Sequence, residues 1–360
     1  MKKFLVLTIM MFTLVANTFA SSVNINVNGK NIPNGGIIVD GKTYVSVRNV
    51  FESLGYTVDY DADSKTVSLS SYARGIFIYN NINYIRINGS NIPIDDCAKI
   101  INNKFMLPLR AVGEAIAYNV DWNAETKTAS ITNRTSNQFG TSDIKTKNNK
   151  KFINSVKYTI TRHDHSKRNN DGYTNLQLFY DEVNISDEYD SCSKINDSIK
   201  SHYNTFLTSN IPEAQSMYDL YSDLGGVFVD SFEASVTNNS NGIFSIRLMN
   251  PACFGGVDTN NFYCFNYDLN TGKQLELSDV FSISGNELTN YLHSCVKEYI
   301  EGRPDDFPDD ALERADELLN DNTFLTSKFY VKNNSIFLCF DKYELTTGAL
   351  GNITIECPIK

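Results

Sequence analysis

Few residues in this chain have types and spacing suited to chemistry. His163 and His165 flank Asp164 in a strand-like segment, which places both imidazoles on one side. Two imidazoles on one face make half a zinc site. No third ligand is evident, and Arg162, Lys167 and Arg168 surround the pair with positive charge that opposes a cation. The expectation is an exposed strand end without a metal. The chain contains no G-x-S-x-G elbow, no H-E-x-x-H helix and no phosphate-binding loop. Neither a catalytic residue nor a cofactor is expected.

Carboxylates crowd the stretch after Arg303: Asp305, Asp306, Asp309, Asp310, Glu313, Asp316, Glu317 and Asp321. Calcium loops need fixed oxygen spacing around a central glycine. Here Pro304 and Pro308 lead instead into a helical period. The simpler reading is a solvated helix with Asp309 and Asp310 favourably near its N-terminus. The functional reading is a docking face for a cationic protein, made of Asp309, Asp310, Glu313, Asp316 and Glu317.

Seven cysteines, Cys97, Cys192, Cys253, Cys264, Cys295, Cys339 and Cys357, are spread through the chain without CxxC spacing, so neither a metal knuckle nor a small disulfide scaffold is indicated. Two pairs are close in sequence, Cys253–Cys264 and Cys339–Cys357. The second is preferred, because 335–341 and 353–359 read as a hairpin centred near Gly348, which would set Cys339 opposite Cys357. Buried free thiols are the alternative.

The elements around these residues divide the chain. Lys2 and Lys3 precede an apolar run from Phe4 to Val15 and the sequence Ala16-Asn17-Thr18-Phe19-Ala20. This is the pattern of a secretory signal peptide, cleaved between Ala20 and Ser21. An uncleaved anchor is the alternative. Without Lys2 and Lys3 the chain has 30 basic and 42 acidic residues. That balance argues against nucleic acid and favours a basic partner. Tyr and Phe total 42, but aromatics at strand positions are core and cross-strand packing more often than sugar platforms.

Residues 39–70 and 101–132 are two copies of one unit, aligned without a gap at an offset of 62, with 11 of 32 positions identical. Each unit reads as a hairpin, a strand, a short helix and a second hairpin. Turns are predicted at Asn28-Gly29, Asn88-Gly89, Asp40-Gly41 and Asn102-Asn103. The first helix carries the stripe Val47, Val50, Phe51 and Leu54 and ends at Gly55; Leu109, Val112 and Ile116 repeat the stripe. Arg48 and Glu52, like Arg110 and Glu114, lie four apart and are read as surface ion pairs.

The motif at 45–56 with 58–66, repeated at 107–118 with 120–128, resembles the copper amine oxidase N-terminal, or stalk, domain over 23–132. The resemblance implies an appended scaffold module. Copper binding and amine oxidation are rejected, because copper needs several imidazoles and no histidine precedes His163.

Residues 133–151 lack an apolar period and are read as a linker. The region 152–360 reads as α+β, with subdomains at about 152–250 and 251–360. Strands are predicted at 155–162, 173–183, 227–237, 242–249, 261–268, 324–331, 335–341 and 353–359, with another at 274–277 ended by a Ser278 cap. Helices are predicted at about 187–207, 286–301 and 308–319. The stretches 261–281 and 329–359 resemble the extracellular region of lysozyme-responsive anti-sigma factors of Gram-positive bacteria, also found before the catalytic domain of some peptidoglycan deacetylases (the DUF4163/DUF3298 type). That family often carries Gly-Gly-Ala-His ahead of the strand at 261; here the equivalent is Gly255-Gly256-Val257-Asp258, without the histidine. The sigma-binding segment, the membrane span and the deacetylase metal motif have no counterparts.

The resemblance and the acidic balance together point to an exported, non-catalytic protein of the cell envelope, secreted or wall-associated. Its expected partner is lysozyme, another cationic protein, or peptidoglycan, with Gly255–Asp258 and the acidic helix as contact candidates. A hydrolase acting on wall polymers and a spacer without a ligand are the alternatives.

Overall fold

The computed structural model describes residues 21–359, apart from 72–73, 88–89, 117, 135, 169–173, 222–227, 255–257 and 348–349. The proposed signal segment, Ala20 included, lies outside this range; Ser21 opens the first strand. The fold is α+β with mostly antiparallel sheets.

The duplicated region forms two sheets. The larger has the order Tyr118–Asn123, Thr128–Asn133, Ser21–Val27, Lys30–Val39, Lys42–Ser46, Lys104–Pro108, Lys99–Ile101; the smaller runs Thr57–Asp61, Thr66–Ser71, Arg74–Tyr79, Tyr84–Ile87, Ser90–Pro93. Each unit therefore gives its last hairpin to the other unit's first strands. The second unit's hairpin reaches back to pair in parallel with the chain's first described strand, Asn24 against Thr128. At the centre, Val45 pairs antiparallel with Leu107. These two residues are equivalent under the offset of 62, so a pseudo-twofold axis passes between them.

Local chemistry explains the turns. Asn28, Asp40, Asn102 and Asn103 all take positive φ, as Asx residues tolerate. Gly55 follows the helix Val47–Ser53 at φ 86°, the left-handed stop a glycine permits. That helix buries Val47, Val50 and Phe51.

The two helices pack differently. At the position equivalent to buried Phe51 the second helix, Leu109–Ile116, has Gly113. A Cβ there would lie 2.3 Å from Val120 Cγ2 and 3.0 Å from the Tyr118 carbonyl oxygen. Gly113→Ala gains about 1 kcal/mol of helix propensity. Overpacking costs about 1–3 kcal/mol, so a net loss is expected. A melting temperature at or above that of the parent protein would show that the helix can shift away from the strand.

Asp96 fastens the loop before Ala98 to the central strand. Its carboxylate accepts from Lys42 Nζ at 3.0 Å, Tyr44 Oη at 2.8 Å and the Cys97 amide at 2.8 Å. Burial alone would raise its pKa, but these donors hold the carboxyl well below the usual range. A depressed folded pKa adds stability that is full above the unfolded value of about 3.9 and is lost as pH falls toward the folded one. Urea unfolding should therefore separate the parent protein from Asp96→Asn more at pH 7 than at pH 3. An unchanged gap would contradict this role.

The second half is built on a sheet of order Ser136–Phe139, Tyr158–Asp164, Thr174–Ile185, Phe228–Ser240, Ile243–Phe254, Asp258–Asp268. The helices Asp190–Thr205 and Ile211–Tyr221, with a π turn between them, make the crossover between the parallel strands Thr174–Ile185 and Phe228–Ser240. Ile195, Ile199, Tyr203 and Phe206 are buried as the period predicts. A three-stranded sheet, Phe329–Lys332, Ser335–Phe340 and Ile353–Pro358, is covered by the helices Gly285–Glu301 and Ala311–Leu319. Two expectations for this half fail. Residues 322–327 are helical, capped by Asp321 accepting from Thr323 N at 2.8 Å. Gln274 makes only an isolated bridge to Tyr267, and Leu277–Val280 is a helical turn boxed by Glu276 and Asp279 rather than capped by Ser278.

The segment read as a linker is paired structure. Ser136–Phe139 joins the large sheet beside Tyr158–Asp164, and Asp143–Lys147 pairs with Lys150–Ser155. Polar edge strands carry no apolar period to betray them. Arg134, in the same segment, is buried: its Nη1 lies 3.1 Å from Asp181 Oδ2, and Arg162 Nε lies 2.7 Å from Asp181 Oδ1. The two halves also touch elsewhere. Lys332 Nζ lies 2.9 Å from Asp95, Asn91 N donates to Asn352 O at 3.1 Å, and Phe262, Tyr330 and Phe337 belong to the apolar cluster of the duplicated domain.

Candidate functional site

The acidic helix Ala311–Leu319 turns Ala311, Ala315 and Leu319 inward, which leaves its carboxylates outward. Asp309, Asp310, Glu313, Asp316 and Glu317 are all exposed. Their roles differ. Asp310 stands at the N-cap, yet its carboxylate binds Arg314, at 2.7 Å from Nη2, rather than a helix amide. Asp316 Oδ1 lies 2.6 Å from His293 Nδ1 and ties this helix to Gly285–Glu301. Asp309, Glu313 and Glu317 form no ion pair among the described residues. Glu313 and Glu317 are one turn apart on one face of the helix, and Asp309 lies in the turn just ahead of its N-cap, so three unneutralised carboxylates are exposed along this stretch.

Of the loop candidates, Gly255, Gly256 and Val257 lie outside the described residues. Asp258 begins the strand Asp258–Asp268, opposite Cys253 in the large sheet. The acidic helix belongs to the layer over the small sheet. The two partner-contact candidates therefore sit on different sheets.

The imidazoles near Asp164 are occupied by packing. Both stack on the Tyr180 ring, with centroids at 4.5 Å for His163 and 6.3 Å for His165, and His163 Nε2 lies 2.9 Å from Glu182 Oε2. His202 stacks on Phe265 at 3.8 Å, and burial lowers its pKa against an opposing bond with Gln274.

The cysteine pairings need correction. In the C-terminal hairpin Cys339 faces Thr354 and Cys357 faces Ile336, a register three residues away from the expected one. Cys264 faces Arg247 and Cys253 faces Asp258, so that pair does not meet either. All seven are free thiols. Cys264 and Cys339 bring their sulfurs to 3.7 Å across the two sheets. The Cys357 thiol is hydrogen-bonded with that of Cys295, and this hydrogen bond, with burial, pushes its pKa up.

Sequence reasoning missed two exposed aromatics, Tyr60 and Trp122, which are equivalent in the two units and lie 45% and 43% exposed. The signal was present: each stands two residues after an inward valine, Val58 or Val120, in strands whose ends run past the core.

Architecture and connectivity define an α+β protein in which a duplicated β-rich domain is joined through paired structure to a second domain of two sheets and covering helices. Residues 26–131 match the family model described as the copper amine oxidase N-terminal domain, and residues 278–360 match the one described as a protein of unknown function, DUF3298. A solved DUF3298 member from Bacteroides fragilis is 14% identical, with a TM-score of 0.38, over 57% of this chain and 91% of that one. A DUF3298 protein from Pseudomonas aeruginosa is 13% identical, with a TM-score of 0.39, over 56% and 90%. No curated protein matches the chain. Among the described residues no helix is long and apolar enough to cross a membrane.

Proposed function

We propose that this is an exported, non-catalytic envelope protein whose C-terminal domain binds a cationic wall-associated protein of the lysozyme kind. The observation that carries the proposal is the set of unneutralised carboxylates, Glu313 and Glu317 on a helix anchored to its neighbour through Asp316 and His293, and Asp309 in the turn that leads into it. Fixed carboxylates on a rigid helix present charge without the entropic cost of ordering a loop. The net charge of −10 adds a field that steers basic partners toward the chain. Export is supported by the pattern of residues 1–20. Carbodiimide coupling of the full chain to lysozyme tests the location. Amide cross-links from lysozyme lysines should concentrate on Asp309, Glu313 and Glu317. Cross-links scattered over all exposed carboxylates would sink the assignment.

A further inference from the structure

The pseudo-twofold axis of the duplicated domain creates two equivalent grooves, of about 480 Å³ and about 340 Å³. Each is bounded by the start of one unit's helix, the outer end of that unit's next strand and the other unit's central hairpin. Under the offset of 62 the wall residues correspond pair by pair: Tyr60 with Trp122, Arg48 with Arg110, and Lys104 with Lys42. Ile100 in one groove and Ile38 in the other add apolar surface at equivalent positions. Ile100 is 41% exposed, like the two aromatics beside which most large apolar side chains of the domain are buried.

From these grooves we infer a bivalent site for a linear polysaccharide that carries an anion in each repeat. An exposed ring beside an apolar floor accepts the C–H face of a sugar. A guanidinium and an ammonium at the rim supply charge-assisted hydrogen bonds to a carboxylate or phosphate. Arg48 is pre-oriented: one nitrogen, Nη1, donates to Glu52 at 2.9 Å and to the Val58 carbonyl at 3.1 Å, which leaves the rest of the fork available. The grooves are not equal. Asp95 and Asp96 line the Trp122 groove, and Asp96 holds Lys42 at 3.0 Å. No carboxylate is among the described lining residues of the Tyr60 groove, where Lys104 has no ion pair among the described residues and Arg48 pairs with Glu52 on its own helix. The Tyr60 groove is therefore the stronger anion subsite. Duplication gives a repeating polymer two attachment points, and the second is gained at the effective concentration set by the first. This site lies on the other domain from the acidic helix and does not rest on the function proposed above.

Trp122 is the single tryptophan of the chain, so its emission reports its groove alone. The full chain would be titrated with hyaluronan as the carboxylated probe, a phosphodiester-linked capsular polysaccharide as the phosphorylated probe, and dextran as the neutral one. At least one anionic polymer should shift Trp122 emission saturably where dextran does not, and the one that does identifies the anion. Tyr60→Ala should weaken that polymer about 10-fold or more while an oligosaccharide that fills one groove still titrates Trp122 as before. Lys104→Ala should weaken the polymer more than Lys42→Ala. No emission change with either anionic polymer, an equal change with dextran, or polymer binding unaffected by Tyr60→Ala at an unchanged melting temperature would each overturn the inference.

Discussion

Replacing Asp181 with alanine is expected to destabilise the protein by about 3–5 kcal/mol, because it leaves the buried guanidinium of Arg134, and the partly solvated one of Arg162, without their shared counterion. The Asp181 side chain is fully buried, and that of Arg134 is 7% exposed. Asp181 Oδ2 also accepts from the Ala234 amide at 3.3 Å, and its backbone carbonyl accepts from Tyr203 Oη at 2.6 Å. The carboxylate thus joins four elements: the segment after the duplicated domain, the strand Tyr158–Asp164 through Arg162, its own strand Thr174–Ile185 and the strand Phe228–Ser240. Arg162→Ala should cost less, since its guanidinium is partly solvated and stacks 3.9 Å from the Phe179 centroid. Urea unfolding of the full chain measures both. A loss below about 1 kcal/mol for Asp181→Ala would mean that Arg134 escapes to solvent, a relaxation not expected of a side chain held at a domain junction.

The second large effect is on binding. Converting Asp309, Glu313 and Glu317 together to lysine should lower the association rate with lysozyme about 10–100-fold at low salt, because steering by a charged surface changes on-rates over that range. The fold should tolerate the change. None of the three makes an ion pair among the described residues, and reversing Asp309 near a helix N-terminus costs only about 0.3–1 kcal/mol. Asp310 and Asp316 are left alone because Arg314 and His293 depend on them. Stopped-flow association and a melting curve on the same preparation separate lost recognition from lost structure. Association as fast as the parent protein's would place the contact elsewhere.

Local patterns in the sequence were good guides to local structure. The stripe at Val47, Val50 and Phe51, the Asx turns at Asn28 and Asp40, and the buried face of the helix at Ile195, Ile199 and Tyr203 all follow from short-range periodicity. Long-range pairing is not written in that periodicity. The exchange of hairpins between the two units joins Asn24 to Thr128, more than 100 residues away, and no neighbouring residue encodes it. The strand Ser136–Phe139 is polar because it lies at a sheet edge, and so it read as linker. The C-terminal hairpin shows the limit within one turn: strands and turn were legible, but the register came out three residues off and separated Cys339 from Cys357. Side-chain period is two, so an odd shift moves a residue to the other face of its sheet. That is how Cys339 comes to meet Cys264 while Cys357 meets Cys295 under the helices. The acidic face was legible as composition. Which carboxylates are neutralised depended on Arg314 and His293, and only the latter comes from a different helix.

Selective recognition of a cationic wall-associated protein is decided by equilibrium binding of the full chain to lysozyme at physiological salt, with an equally basic unrelated protein alongside. Saturable binding to lysozyme that persists from low to physiological salt and exceeds the control is expected. Binding that fades with salt and matches the control would contradict it, since a screened, unselective attraction is what net negative charge alone produces.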